Sequence, residues 1–213
     1  MEPLNPADAE LLDLPTYYPD FSHHFRDTTF WKLERTQTSA EPSNPSWVAF
    51  NHGNWEESLR LLGPWQDQLR SVHTKNTNNG VHTHRIRITE HPLTPYSQWE
   101  LELLHRRWQV TGGIKIIEHT RFLVQRAETE HGTQLPDLNI MDNVMYQPIY
   151  DDNGVIDHVY KYTNPDTITP WRDLTTDLYR DGLDMGYYYN SHVMLLPPPN
   201  PGRSLPDNYL QQH

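Results

Sequence analysis

The sequence predicts an α+β protein, a single domain on a mixed, partly parallel sheet of about six strands with flanking helices and a late β-hairpin. Three observations carry that expectation. A strand, helix, strand unit runs from Thr83 to Glu118; short apolar runs centred near residues 30, 84, 115, 139, 147 and 157 read as strands; and Asn153-Gly154 forms a hairpin turn between the last two. A helix between two strands predicts parallel pairing around Ile86 and Ile116.

From the start of the chain, residues 1–20 are rich in proline and acid, with a short helix from Ala7 to Leu14 between Pro6 and Pro15, and read as an arm. Phe21–Asp27 reads as a helical turn leading into a strand over Phe30–Arg35. Thr38–Pro45 is polar and proline-containing, hence a loop. Helices are expected from Trp55 to Leu62 and from Trp65 to Val72, interrupted by Gly63-Pro64. His73–Gly80 is polar and turn-forming.

The organising unit follows. In Arg85-Ile86-Arg87-Ile88 polar and apolar residues alternate with period two, which predicts a half-buried strand with the isoleucines facing inward. Thr94-Pro95 combines a hydroxyl N-cap with proline at the first helical position and starts a helix. Gly112-Gly113 ends it, because glycine takes the left-handed C-terminal conformation without a Cβ penalty. Ile114–Ile117 is the next strand. At 100° per residue the helix carries two apolar stripes, Tyr96, Trp99, Leu103 and Val110 in one and Leu101, Leu104 and Trp108 in the other, with Glu100 and Arg107 projecting between them. A charge inside an apolar arc is costly unless paired. Seven residues, about 10 Å along the axis, separate Glu100 from Arg107, so each needs its own partner. Arg85 or Arg87 is the nearest candidate for Glu100.

Downstream, Ala127–Pro136 reads as a charged mobile loop and Leu138–Met141 as a short strand. Met145–Tyr150 and Val155–Tyr162 form the hairpin, and Thr169-Pro170 starts a helix from Trp171 to Asp181. The organisation is thus an arm over 1–20, a domain over 21–192 and a proline-rich tail over 193–213.

Composition narrows the function. The 213 residues carry 28 acids against 17 Lys and Arg, a net charge of −11, so the long-range field opposes nucleic acid and direct binding would need a basic patch. The nearest approach to one is His105-Arg106-Arg107, which reads as a solvated edge beside Glu102. Cysteine is absent, which excludes disulfides and thiol catalysis. Neither a signal peptide nor an apolar run of membrane-spanning length is present, so a cytoplasmic protein without membrane attachment is expected.

Catalytic motifs are incomplete. His158-Val159-Tyr160-Lys161 with Asp166 approaches the H-x-K-x4-D signature of phospholipase-D-like phosphodiesterases, but the extra residue puts His and Lys on opposite faces of a strand. His73-Thr74-Lys75 has the spacing but meets Gly80 where the acid belongs. His82 and His84 share a strand face and His23-His24 lie upstream, without the third or fourth ligand of a metal site. Tyr187-Tyr188-Tyr189 and Trp171 read as a late aromatic cluster for packing. No metal, no cofactor and no catalytic residue is expected.

The run Glu90-His91-Pro92-Leu93-Thr94-Pro95-Tyr96, then Trp99-Glu100-Leu101-Glu102, with Phe30-Trp31-Lys32-Leu33-Glu34 upstream and Tyr150-Asp151-Asp152-Asn153-Gly154 and Tyr188 downstream, resembles an actinobacterial family catalogued as DUF6879. The strand order is also compatible with a degenerate relative of the phospholipase-D-like fold. The resemblance implies a non-enzymatic regulatory or interaction protein, the protein partner of a helix-turn-helix transcriptional regulator. The alternative is a small-molecule-binding protein or enzyme with a pocket near Glu100 and Arg85 or Arg87, lined by Arg85, Arg87, Tyr96, Trp99, Glu100 and Arg107.

Overall fold

The computed structural model describes residues 3–201; Met1, Glu2 and residues 202–213 lie outside the described residues, and with them most of the expected tail. After a short 3-10 helix at Pro6–Asp8 the chain runs β1 (Glu10–Leu12), α1 (Leu14–His24), β2 (Thr29–Glu34), α2 (Pro45–Asn51), α3 (Trp55–Asn78) and β3 (His82–Thr89). It continues through α4 (Pro95–Thr111), β4 (Ile114–Glu118), α5 (Phe122–His131), β5 (Leu138–Ile140), β6 (Met145–Tyr150) and β7 (Ile156–Tyr162). α6 (Pro165–Asp181), β8 (Leu183–Asp184), α7 (Met185–Tyr188) and a π-helical turn at Tyr189–Val193 complete it. Among the described residues no helix is long and apolar enough to cross a membrane.

The strands make one mixed sheet in the order β1-β7-β6-β5-β2-β3-β4-β8. β2, β3 and β4 are parallel, in the register Glu34↔Arg87 and Ile88↔Ile117. β5, β6, β7 and β1 continue antiparallel from the other side of β2. The sheet therefore has eight strands, where about six were expected. The two additions are edge strands of three and two residues, β1 and β8, too short to show a period.

Several boundaries move for local reasons. The first 20 residues, expected as an arm, supply β1 and most of α1, and Leu12 and Tyr17 are buried. α2, absent from the sequence reading, opens with Asn44 as N-cap and Pro45 in the first turn. α3 runs without a break through Pro64 to Asn78, past the expected turn at His73. One lost backbone donor is outweighed there by packing on both sides, with Leu62 and Leu69 buried. α5 occupies much of the expected loop and stops at Gly132 in the left-handed conformation. Asn164 caps α6 five residues before the expected start.

Strand alternation divides the core between the two faces of the sheet. On one face α5 and α6 cover Leu33, Ile86, Ile88, Ile117 and Leu138. On the other, α2, α3, α4 and α7 pack against Ile114 and Ile116, while α1 covers Phe30, Tyr146 and Val159. Trp171 and Tyr188 thus belong to opposite layers and form no single aromatic cluster. β3 is buried on both faces over its second half, Ile86 to Thr89, and more open over its first. Its isoleucines face α6, and its polar alternates, Arg85 and Arg87, face α4 beneath the second layer.

The turn after α4 is tight. Gly113 has φ +61°, its carbonyl accepts from Arg85 N at 2.8 Å, and an added Cβ would lie 2.6 Å from the Thr83 carbonyl oxygen. Gly113→Ala is expected to lower stability by about 2 to 4 kcal/mol from backbone strain and overpacking together. Urea denaturation with an unchanged m-value checks it.

Candidate functional site

The parallel register sets charged residues side by side. Lys32 and Glu34 on β2 lie opposite Arg85 and Arg87 on β3, all on the face covered by α4. Glu34 Oε1 is 2.7 Å from Lys32 Nζ and its Oε2 is 3.3 Å from Arg85 Nε. Arg87 is fully buried, with its Nε 2.7 Å from Glu100 Oε2. The angle there makes this an ion pair rather than an aligned hydrogen bond. Arg87 also donates to the carbonyls of Thr36, at 2.7 Å, and Ile88, at 3.2 Å. Glu100 thus takes the second of its two candidate partners, and Arg85 serves Glu34.

The environment splits the two carboxyls. Burial resists ionisation of Glu34, but Arg85, Lys32 and Arg87 outweigh it and hold the carboxyl down at about 2. Burial pushes the Glu100 carboxyl up, and Arg87 offsets this only in part because Glu34 and Glu41 lie close by. Within the row the Arg87–Glu100 pair is a sealed structural element, closed off from solvent.

Tyr96 and Trp99 are also buried, and each spends its polar atom internally. Tyr96 donates to Glu41 Oε1 at 3.1 Å, and Trp99 Nε1 donates to Ser46 Oγ at 3.1 Å beneath a stacked Phe50. Glu100, Arg87, Tyr96 and Trp99 are thus each buried and held by internal partners. Arg107 differs. It is not a solvated edge: its guanidinium carbon lies 5.5 Å from the centre of the Trp65 ring, and its Nε is buried without a hydrogen-bond partner among the described residues. Arg107 and Arg85 both border a cavity of about 150 Å³ between α3, the start of β3 and the end of α4.

Two clusters were missing from the sequence reading. At the C-terminal end of β2, buried Arg35 contacts Glu90 at 2.5 Å and Glu128 at 2.6 Å. Its amide donates to Asp137 Oδ1 at 2.5 Å, and Tyr150 donates to Oδ2 of the same aspartate at 2.7 Å. At the ends of β3 and β4, His91 Nε2 lies 3.0 Å from Tyr188 Oη and 3.3 Å from Glu118, and His192 stacks on Tyr188. Glu34, Glu90, His91, Tyr150 and Tyr188 stand in the very motifs on which the family resemblance rests, and that was the available signal.

The phosphodiesterase near-match is dispersed. Lys161 reaches Asp20 on α1 at 2.8 Å, while His158 contacts Asp157 and packs against Tyr160 on the opposite face. Among the described residues no group of three His, Asp or Glu side chains could hold a metal ion.

Removing one member of the sealed pair leaves an uncompensated buried charge. Glu100→Ala is expected to cost about 3 to 5 kcal/mol in urea denaturation, and the double variant Arg87→Met/Glu100→Leu to recover much of it. For Glu34 the folded carboxyl titrates near 2 against 4.5 for an ordinary glutamate, so its stabilisation is complete above 4.5 and lost as pH falls towards 2. Glu34→Gln should flatten that acid limb in thermal melts across the window.

No curated protein matches the chain in sequence. In structure it is similar to TrmBL2, an archaeal chromatin protein whose structure is described as showing a novel mode of DNA binding. The likeness has 6% identity and a TM-score of 0.41, and it covers 83% of this chain and 53% of the other, so the chain spans about half its neighbour's length. A family model described as a domain of unknown function matches residues 19–190, nearly the whole sheet with its helices, and the chain belongs to that family, DUF6879.

Proposed function

We propose that this chain is a non-enzymatic regulatory protein that docks a basic protein partner in the cytoplasm, a helix-turn-helix transcriptional regulator being the partner that the sequence resemblance suggests. The observation that carries this reading is the distribution of charge across the fold. Arg35 and Arg87 are buried and Arg85 nearly so, whereas α6 turns Asp166, Asp173 and Asp181 to solvent and Asp8, Asp13, Glu130, Asp152 and Asp157 are exposed on other elements. With several cations held inside a chain of net charge −11, the field at the surface favours a cationic protein and opposes phosphate. Encounter with such a partner is fast at low salt and slows as the Debye length shrinks.

The test pairs the full chain with a purified helix-turn-helix transcriptional regulator. Capture at low salt that weakens at least tenfold at high salt, and weakens again in Asp173→Lys/Asp181→Lys, is the expected result. The isolated chain should leave duplex DNA unshifted in a gel. Tight DNA binding by the chain alone, or no capture of the regulator at low salt, overturns the proposal.

A further inference from the structure

We infer that the cavity between α3, β3 and the end of α4 is a binding site for a small oxyanion, the carboxylate or phosphate end of a metabolite, held between Arg107 and Arg85. This is independent of the docking reading, because Arg107 and Arg85, which would hold the anion, lie on the other face of the sheet from α6.

Two features point to an anion. Arg107 and Arg85 border the same cavity, and no carboxylate lines it among the described residues. The indole of Trp65 fixes the guanidinium but supplies no acceptor atom. The nearest carboxylate, Glu34, is already engaged by Lys32 and Arg85 Nε. Burial, and then the repulsion of Arg85, brings the Arg107 guanidinium down to about 9, a value at which it still carries its charge at neutral pH. An oxyanion between the two guanidinium groups would relieve that repulsion.

Size and lining set the class. The cavity, at about 150 Å³, is well below the roughly 300 Å³ where pockets for larger ligands begin. That admits a small anion. Thr83 and Asn76 add polar groups to the lining, while Phe30 and Leu69 give one side an apolar wall suited to a short carbon chain.

The experiment titrates the full chain with inorganic phosphate and, separately, with propionate, at constant ionic strength against chloride. It follows the melting temperature and the Arg107 Nε–H resonance by NMR. A saturable rise in melting temperature with movement of that resonance is expected from at least one anion, and the arm that saturates identifies phosphate or carboxylate as the recognised group. Arg107→Gln should weaken binding at least tenfold. Asn76→Asp, which keeps the shape and adds a negative charge at the cavity, should weaken it severalfold and covers the case in which the arginine variant fails to fold. If neither anion acts beyond chloride, or if Asn76→Asp binds as tightly as the parent, the inference is overturned.

Discussion

The structure depends on a row of opposite charges laid between β2, β3 and α4. Parallel pairing sets Lys32 against Arg85 and Glu34 against Arg87 on one face of the sheet, and α4 can close over that face only because Glu100 meets Arg87 as it lands. An apolar seam in the same place would tolerate sliding of the helix. A buried ion pair does not, since a shift of one turn would leave two desolvated charges without partners. The pair thus fixes α4 relative to β3, and with it Trp99 under Phe50 and Tyr96 against Glu41.

β2 is where the two halves of the sheet meet, parallel to β3 on one side and antiparallel to β5 on the other. The strand end there is held by polar groups from every neighbour. Arg35 takes Glu90 from the segment after β3 and Glu128 from α5, and its backbone is bound by Asp137 just before β5. At the carboxyl ends of the parallel strands, where open α/β sheets usually take ligands, Arg35 is buried among Glu90, Glu128 and Asp137. The cavity beside Arg107 lies at the opposite end, next to the start of β3.

The sheet is covered on both faces, so its charges are sorted by layer rather than by strand. Arg85 and Arg87 lie inside, where they face Glu34 and Glu100, and Arg35 is buried at the end of β2, while many of the acids are exposed. Solubility and long-range behaviour follow from the acids, and the rigidity of the α4 layer follows from the interior arginines. Arg107 stands between these regimes. It is drawn in by Trp65, beyond reach of solvent at Nε, and not neutralised as Arg87 is.

The sequence by itself determined the strand, helix, strand unit, its caps at Thr94-Pro95 and Gly112, the parallel pairing of its strands and the late hairpin, because caps and turn follow from contacts within a few residues and the pairing from the helix between two strands. It also marked Glu100 and Arg107 as misplaced charges. What only the tertiary structure decided was their fate. Periodicity reports that one face of β3 is polar but not that α4 covers it, so the choice of Arg87 for Glu100 and of Arg85 for Glu34 came with the register of β2 on β3. The Arg35 hub joins residues about a hundred positions apart and has no local signature. β1 and β8 are too short to carry a period, and α3 crosses Pro64 because layer packing outweighs one lost hydrogen bond. Local physics settled the central unit and the hairpin; which polar groups are left facing one another, and where one is left unanswered, was settled by how the layers close.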